Sequence, residues 1–268
     1  MIKQKYLLFL FLIVFSTKGR SQFGGFSHEV GVIAGPISFQ SDYGESYDFK
    51  TFFGNSGFSI GVVHYINFSY TRVCECYTAD TYFNDHFKIR SEISYNATQL
   101  KHFGRDVDRP GNSIGTLQLR GMRGEAKLLN LGAQLEYFPL SVREFSSSLF
   151  RFAPFVSLGG QYSNYSPKAW SLLGPLGNAQ TTFPKYLDPT DGEPHGYTNR
   201  SGTVWSIVGS LGTRYKIAPL SDILLDFRLQ YFFSNWIDGL NPDPIKHPEN
   251  KANDLLIWLN FGYIYYLQ

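Results

Sequence analysis

The chain has 268 residues, of which 43% are hydrophobic and 17% aromatic, and its 24 basic residues nearly balance its 22 acidic ones. This balance, without a basic run, excludes an electrostatic case for nucleic-acid binding. The length suits one barrel with long loops or one soluble domain with a full core. Beyond the first residues, no apolar run is long enough for a membrane-spanning helix.

The N-terminal segment has the order of a secretory signal peptide. Two lysines precede an apolar run at residues 6–15, and small residues follow as far as Ser21. About ten apolar residues reach only about half of a hydrocarbon core as a helix, so they do not form an anchor. We predict a signal peptide over 1–21, removed near Ser21 after export through the inner membrane, and one domain over 22–268. Removal takes away four basic residues and leaves 20 basic and 22 acidic ones.

Several later segments alternate, or nearly alternate, between apolar and polar residues, which predicts β-strands. They lie at 28–37, 57–66, 86–96, 127–138, 151–163, 203–217, 222–233 and 255–267. An even number of strands places both termini on the periplasmic side, so the connections after odd strands face outward and are mostly the longer ones. We expect an all-β fold, a single antiparallel up-and-down transmembrane β-barrel of about eight strands with long outer loops.

The closing segment carries the clearest membrane signal. It alternates without a break and exceeds the roughly 9 to 11 residues that a tilted strand needs to cross a bilayer. Its apolar face carries Leu255, Ile257, Leu259, Phe261, Tyr263, Tyr265 and Leu267. A secreted chain with such a strand is predicted to lie in the outer membrane, with outer-membrane lipid as its surroundings. The aromatic residues of this strand resemble the signal read by the barrel-insertion machinery, which is therefore an expected partner during assembly.

Tyrosines cluster near the ends of the predicted strands, at Tyr65, Tyr95, Tyr137, Tyr162, Tyr215, Tyr231, Tyr263 and Tyr265. An apolar ring with one polar tip is stable at the headgroup boundary, so this pattern predicts two aromatic girdles. The alternative is that tyrosine is common in strands of any kind.

The same alternation could describe a soluble barrel turned inside out, with apolar side chains inside and charges in water. Three features favour the membrane barrel instead. Aromatic residues lie at strand ends, the final strand is apolar, and the chain has more bulky aromatic side chains than an eight-stranded lumen could hold.

The polar faces of the strands gather four positive and four negative side chains, which we predict to form a charge network in the lumen. They are Lys88, Arg90, Glu92, Glu136, Arg214, Asp222, Asp226 and Arg228. An eight-stranded interior is just filled by side chains, and unpaired charges there are costly. We expect these residues to form a salt-bridged plug, with an ion pathway or a proton-coupled site as the alternative.

Cys74 and Cys76 lie in the first predicted periplasmic turn, separated by one residue. A disulfide between them would close a very small, strained ring, so the pair forms either such a local disulfide or two inert thiols. Nothing in the spacing matches a zinc pattern.

Three histidines in the predicted outer loops, His102, His195 and His247, lie beside many Ser, Asp and Glu residues. No spacing singles out a nucleophile and its base, so each is interpreted as a loop residue. We predict no catalytic residue, no cofactor and no metal site.

Two segments resemble known barrels. The opening strand His28-Glu-Val-Gly-Val-Ile-Ala-Gly35 and the later segment Tyr231-Phe-Phe-Ser-Asn-Trp-Ile-Asp-Gly239 resemble barrels related to PorG, an accessory of the type IX secretion apparatus. The whole chain, including Phe183-Pro-Lys-Tyr186, more closely resembles an uncharacterised family of outer-membrane barrels from gliding-type Gram-negative bacteria.

These observations favour a non-enzymatic outer-membrane barrel with a closed lumen. Its function would be that of a scaffold or binding component of an envelope assembly, such as a secretion or motility assembly, through an unidentified envelope protein. The alternatives are a lipid or peptide hydrolase with a site on the loops, and a narrow channel.

Overall fold

The computed structural model describes residues 26–45, 48–68, 81–111, 113–147 and 151–267. Within these ranges eight strands form a closed barrel in sequence order. All neighbours are antiparallel, and the first strand pairs with the last to close the sheet. The strands are β1 Ser27–Gln40, β2 Ser56–Asn67, β3 Phe87–Lys101, β4 Met122–Tyr137, β5 Phe152–Ser171, β6 Gly202–Ala218, β7 Ser221–Phe232 and β8 Leu255–Leu267. The predicted fold class is confirmed.

Strands β3, β4 and β5 extend further at their outer ends than the sequence pattern predicts. The apolar outward pattern stops at Tyr95, Leu129 and Tyr162, but the paired backbone continues as far as the Lys101–Arg123 pair. Outward positions in this extension are mostly polar or charged, with Ala97 and Trp170 as exceptions, so hydrophobic periodicity alone ends the strands too early. The extension carries these three strands beyond the apolar band.

The connections contain short helices: α1 Phe49–Gly54, α2 Tyr82–His86, α3 Arg105–Asp108, α4 Ile114–Gly121 and α5 Val142–Ser146, with 3-10 turns at Pro184–Tyr186 and Pro248–Asn250. Side-chain oxygens of Asp48, Thr81, Ser113 and Ser141 accept backbone N–H groups at the starts of α1, α2, α4 and α5. These caps satisfy donors that a helix end otherwise leaves free. No helix in the described ranges is long and apolar enough to cross a membrane.

The outer surface of the barrel wall is an apolar band. Leu131, Leu158 and Leu211 on β4, β5 and β6 are each more than 60% exposed, and Leu225 and Phe227 on β7 also point outward. The alternate residues on the same strands are buried and mostly polar. This distribution contradicts the inside-out soluble barrel, because water would face the leucines and the charges would be sealed inside.

Aromatic side chains flank the band at both ends. Tyr95, Tyr162, Trp205 and Tyr231 lie toward the end that carries the long loops, and all four are partly exposed. At the opposite end the outward aromatics are Phe152, Tyr137, Tyr215, Tyr263 and Tyr265. The girdle assignment is wrong for Tyr65, which is fully buried in the lumen with the Arg214 guanidinium 4.1 Å from its ring. The error arose because β2 is apolar on both faces, so alternation did not define its lumen side.

Candidate functional site

All eight charges predicted for the lumen point into it and are buried. They occupy the half of the lumen nearest the two termini of the barrel. Uncharged amides and hydroxyls form the next layer, and apolar side chains close the end beneath the long loops. This layering follows from the strands themselves, since the lumen face of β7 runs from Asp222 through Asp226, Arg228 and Gln230 to Phe232.

The charge cluster nearest the termini centres on Glu29. One carboxylate oxygen lies 2.5 Å from Lys88 Nζ, and the other accepts from Arg214 Nη1 at 2.5 Å. Arg214 also reaches Glu136 with its other terminal nitrogen, at 3.2 Å. The Tyr266 hydroxyl donates to Asp222 Oδ2 at 2.6 Å. The first three contacts tie β1, β3, β4 and β6 together across the lumen, and the fourth joins β7 to β8.

The second cluster links β3, β4 and β7 at mid-lumen. Arg90 Nη1 lies 3.0 Å from Glu136 Oε1 and 3.2 Å from Asp226 Oδ2. Arg228 contacts Glu92 at 2.6 Å and Asp226 at 3.1 Å. Because Glu136 bonds both Arg90 and Arg214, the two clusters form one connected network. Charge-assisted bonds of this kind are the strong ones in a low-dielectric interior.

Amide and hydroxyl side chains fill the layer above the charges. Gln230 Nε2 donates to Ser206 Oγ at 2.9 Å, and Ser163 Oγ donates to Asn130 Oδ1 at 2.6 Å. The Gln161 amide joins this layer to the charges by donating to Glu92 Oε1 at 3.3 Å. Above it lie the buried apolar side chains Phe39, Leu128 and Phe232. On β8, Leu256 is opposite Gln230, and Trp258 is opposite Arg228, whose guanidinium is 4.5 Å from the Trp258 ring. Buried side chains of these three layers follow one another from the charged end of the lumen toward the mouth.

The sequence pattern did not identify two of the buried lumen charges, Glu29 and Lys216. Glu29 lies on β1, whose apolar residues occupy both faces, so its inward direction could not be assigned from alternation. Lys216 lies two residues after Arg214 and therefore shares its face, a signal that could have identified it. Lys216 Nζ is 3.7 Å from Asp222 Oδ1 and 4.1 Å from the centre of the Tyr266 ring.

Side chains from all four long loops interlock over the mouth of the barrel; we call Asp42, Tyr43, His102, Tyr186, Asp238 and Asp254 the loop cap. The ring centroids of Tyr43 and His102 are 4.8 Å apart, and those of His102 and Tyr186 are 5.9 Å apart. The Asp42 backbone N–H donates to Asp238 Oδ2 at 3.1 Å. A Cβ at Gly124 would lie 2.6 Å from the Tyr43 ring, so glycine at this position of β4 leaves room for the cap to enter the mouth.

The loop cap buries an acidic group. Asp254 Oδ2 accepts from the Ile237 N–H at 3.0 Å, and Asp238 Oδ1 accepts from the Leu240 N–H at 2.7 Å. Burial raises the pKa of Asp254 well above its ordinary value, and the nearby carboxylates Asp238 and Asp42 raise it further. Burial and Asp42 likewise raise the pKa of Asp238. Burial and the neighbouring carboxylates therefore favour the protonated form of Asp238 and Asp254 while the cap is closed.

The three loop histidines do not meet in one place. His102 is buried in the cap, where its Nδ1 accepts from the Gly44 N–H at 3.3 Å. Burial, with smaller contributions from Lys185 and Arg123, lowers the pKa of His102 to about 3, so the ring is neutral. His195 donates to the Leu187 carbonyl at 3.1 Å and stacks on Tyr197, whereas the His247 backbone N–H donates to the Asp243 carbonyl.

Two further assignments concern metals and cysteines. No group of three His, Cys, Asp or Glu side chains that could hold a metal ion occurs in the described ranges. Cys74 and Cys76 lie outside those ranges, and so do residues 1–21.

The fold and its distribution of charge define the class: a closed eight-stranded barrel, apolar outside and polar inside, as in barrels that span membranes. Among solved structures the chain is similar to a major outer membrane protein of Thermus thermophilus, with 14% identity, a TM-score of 0.43, and coverage of 91% of this chain and 100% of that chain. It is also similar to Neisserial surface protein A, with 12% identity, a TM-score of 0.42, and coverage of 89% of this chain and 96% of that chain.

A third similar structure is Ail, the attachment invasion locus protein of Yersinia pestis, with 10% identity, a TM-score of 0.41, and coverage of 91% of this chain and 100% of that chain. No family model matches the chain, and no curated protein matches its sequence. The resemblance to PorG-related barrels stays a prediction.

Proposed function

We propose that this protein is a non-enzymatic outer-membrane barrel with a sealed lumen, whose loop end acts as a scaffold or binding component of an envelope assembly. The observation that carries the proposal is the connected ion-pair network, in which Glu29, Arg90, Glu136, Arg214 and Asp226 are all 0% exposed. In an eight-stranded barrel, lumen side chains that form ion pairs with one another leave no continuous water column through the lumen.

Location in the outer membrane is supported by the apolar band and its two aromatic girdles. A band of this kind is stable only in lipid, and closed barrels satisfy every backbone hydrogen bond within the wall. The signal peptide predicted over 1–21 would bring the chain to that membrane. The long loops belong on the outer side, because barrels of this class have short periplasmic turns and longer outer loops.

A binding role is supported by exposed apolar side chains on loops that are held in place by hydrogen bonds. The loop cap joins four loops by hydrogen bonds, yet the same loops expose apolar side chains beyond the band. Phe49 of α1 is 78% exposed and Ile245 is 89% exposed. A sealed barrel that holds apolar side chains in water is suited to contact another molecule there.

The two alternatives predict different behaviour. A narrow channel requires the network to open, and the measurement is conductance in planar bilayers, where the sealed lumen gives no reproducible single-channel steps. A hydrolase would need a histidine beside a nucleophile. His102 offers none, since its Nδ1 bonds a backbone N–H and its ring is enclosed by the cap.

The binding role is tested with a photo-crosslinking amino acid placed at Ile245 or Phe49 in cells. Leu225, on the lipid-facing wall, is the matched control position. We expect the same discrete protein adduct from Ile245 and from Phe49, and none from Leu225. Absence of adducts from both loop positions at native expression, or the same adducts from all three positions, would refute a specific partner at the loop end.

A further inference from the structure

The outer ends of β3, β4 and β5 carry a group of outward-facing cations, which we call the wall patch: Lys101, Arg123, Lys127 and Lys168. Strand register brings them together. Lys101 is directly opposite Arg123, and Lys168 is directly opposite Glu125, which lies two residues from both Arg123 and Lys127 on β4. Alternation points all of these side chains away from the lumen.

The wall patch lies immediately above the apolar band. Leu129 is the last apolar outward residue of β4, and Lys127, Glu125 and Arg123 follow on the same face. With a rise of about 3.3 Å per residue and a tilt of about 40°, these positions lie roughly 5, 10 and 15 Å above Leu129 along the barrel axis. The headgroup region of a bilayer adds roughly 5 to 8 Å on each side, so Lys127 lies within it, and Glu125 and Arg123 lie above it.

The patch lies on the three strands that extend beyond the apolar band. The other strands end lower on the wall, and their outermost outward positions are uncharged: Ser38 and Gln40, Ser56 and Phe58, Thr203 and Trp205, Tyr231, and Leu255 and Ile257. The paired backbone of β3, β4 and β5 therefore holds the cations of the patch side by side.

The wall patch has an excess of positive charge that its surroundings do not neutralise. Its one carboxylate, Glu125, lies 2.7 Å from Lys127 and 3.8 Å from Lys168. Within the part of the chain that the structure describes, Lys101 and Arg123 form no ion pair. Several cations of the outer loops, by contrast, have a carboxylate partner, as in the pairs Lys50–Asp108, Arg105–Glu45, Arg200–Glu193 and Lys246–Asp188.

A cleft adjoins the patch and shares its cations. It has a volume of about 430 Å³ and is lined by Lys101, Arg120 and Arg123 together with the apolar side chains of Phe103 and Val107. Its one carboxylate, Asp108, is 2.5 Å from Lys50. Trp170, opposite Arg123 on β5, is 42% exposed. Cations beside apolar and aromatic surface suit a ligand that is anionic and amphipathic.

We propose that the wall patch binds a phosphorylated glycolipid of the outer leaflet, with the phosphate groups on Lys101, Arg123, Lys127 and Lys168. This inference rests on the proposed location in the outer membrane. Phosphate is favoured because it accepts from several cations at once, and lipid is favoured because the patch continues directly into the lipid-facing wall. A bound glycolipid would fix which side of the barrel contacts the phosphorylated lipid of the outer leaflet.

The test measures binding of fluorescent lipopolysaccharide to the purified, folded barrel in non-ionic detergent. The patch variant carries Lys101→Gln, Lys127→Gln and Lys168→Gln. The control variant removes three cations from loop ion pairs by Lys50→Gln, Arg200→Gln and Lys246→Gln. We expect the patch variant to lose roughly fivefold in affinity per lysine at low salt, and the control variant to change less than about twofold.

Further measurements distinguish binding of a phosphorylated lipid from binding of free phosphate. Dephosphorylated glycolipid should bind the parent and the patch variant equally weakly, and inorganic phosphate should compete only at high concentration. Glu125→Gln removes the one acid of the patch and should strengthen binding several-fold, which keeps the proposal testable if the triple variant fails to fold. Equal loss in both triple variants, weaker binding by Glu125→Gln, or inorganic phosphate binding as tightly as the lipid would overturn it.

Failure of this inference can be told apart from failure of the proposed function. Folded barrel migrates differently in gel electrophoresis before and after heating, and membrane fractionation reports its location. A parent protein that inserts into membranes but does not distinguish the two triple variants refutes the wall patch alone. A parent protein recovered as a soluble species without detergent refutes the membrane location itself.

Discussion

Replacing Glu29 by alanine should destabilise the barrel more than any other single change in the lumen network. Among the described residues, Glu29 is the one carboxylate that forms an ion pair with Lys88, and both side chains are at most 1% exposed. Arg214 would keep Glu136 at 3.2 Å and Asp222 at 3.9 Å. Lys88 would keep the more distant attraction of Asp222 and its position 5.4 Å from the Phe138 ring and 5.7 Å from the Tyr266 ring. Glu29→Ala therefore leaves a buried ammonium without a close ion-pair partner.

The magnitude follows from that orphaned charge. Breaking a buried pair by removing one partner costs about 3–5 kcal/mol in unfolding free energy. Lys88→Met should cost less, about 1.5–3 kcal/mol, because Glu29 would keep its bond to Arg214. Adding Lys88→Met to Glu29→Ala should then recover stability, since the doubly changed lumen no longer contains an unpaired lysine.

The assay is urea unfolding of the refolded barrel in lipid vesicles, followed by tryptophan fluorescence. Glu193→Ala is the control, because it removes the partner of the exposed Arg200 from a pair that is 2.7 Å long, and it should cost less than about 1 kcal/mol. Similar losses for Glu29→Ala and Glu193→Ala, or a double variant weaker than Glu29→Ala alone, would refute the reasoning about an orphaned lysine.

The remaining predictions concern the wall and the loop cap. Leu131→Arg should cost about 2–4 kcal/mol in the same urea titration because it places a charge in the lipid band, whereas Thr203→Arg above the band should change the stability by less than about 1 kcal/mol. The raised pKa of Asp254 means that its contribution to cap stability is complete below an unfolded value near 3.9 and is lost as the pH rises through the folded value. Asp254→Asn should therefore flatten the alkaline loss of loop protection in hydrogen exchange, and an unchanged pH profile would contradict this assignment. The lowered pKa of His102 acts in the opposite direction, since its contribution is present above about 6.5 and is lost as the pH falls toward about 3. His102→Gln should reduce the acid loss of protection, and a profile that stays as steep as that of the parent would count against a buried neutral ring.

The strand pattern was readable from the sequence because the period of two is a local property. Polar and apolar residues alternate along β7, so Asp222, Asp226 and Arg228 could be assigned to the lumen face before their partners were known. The same reasoning failed for Glu29 and Tyr65, which lie on strands that are apolar on both faces. Where both faces carry similar residues, alternation contains no information about direction.

The fold class, the number and order of the strands, and the lumen side of those that alternate were predictable from local spacing, since each depends on one segment of the chain. Only the tertiary structure decided which charges pair, because Lys88 and Glu29 lie on strands that pair with the same neighbour and meet across the lumen. It also decided that Asp42, Asp238 and Asp254 come together in the loop cap and that Lys101, Arg123 and Lys168 share one wall. Barrel closure and strand register bring these residues together, and neither is a local property of the chain.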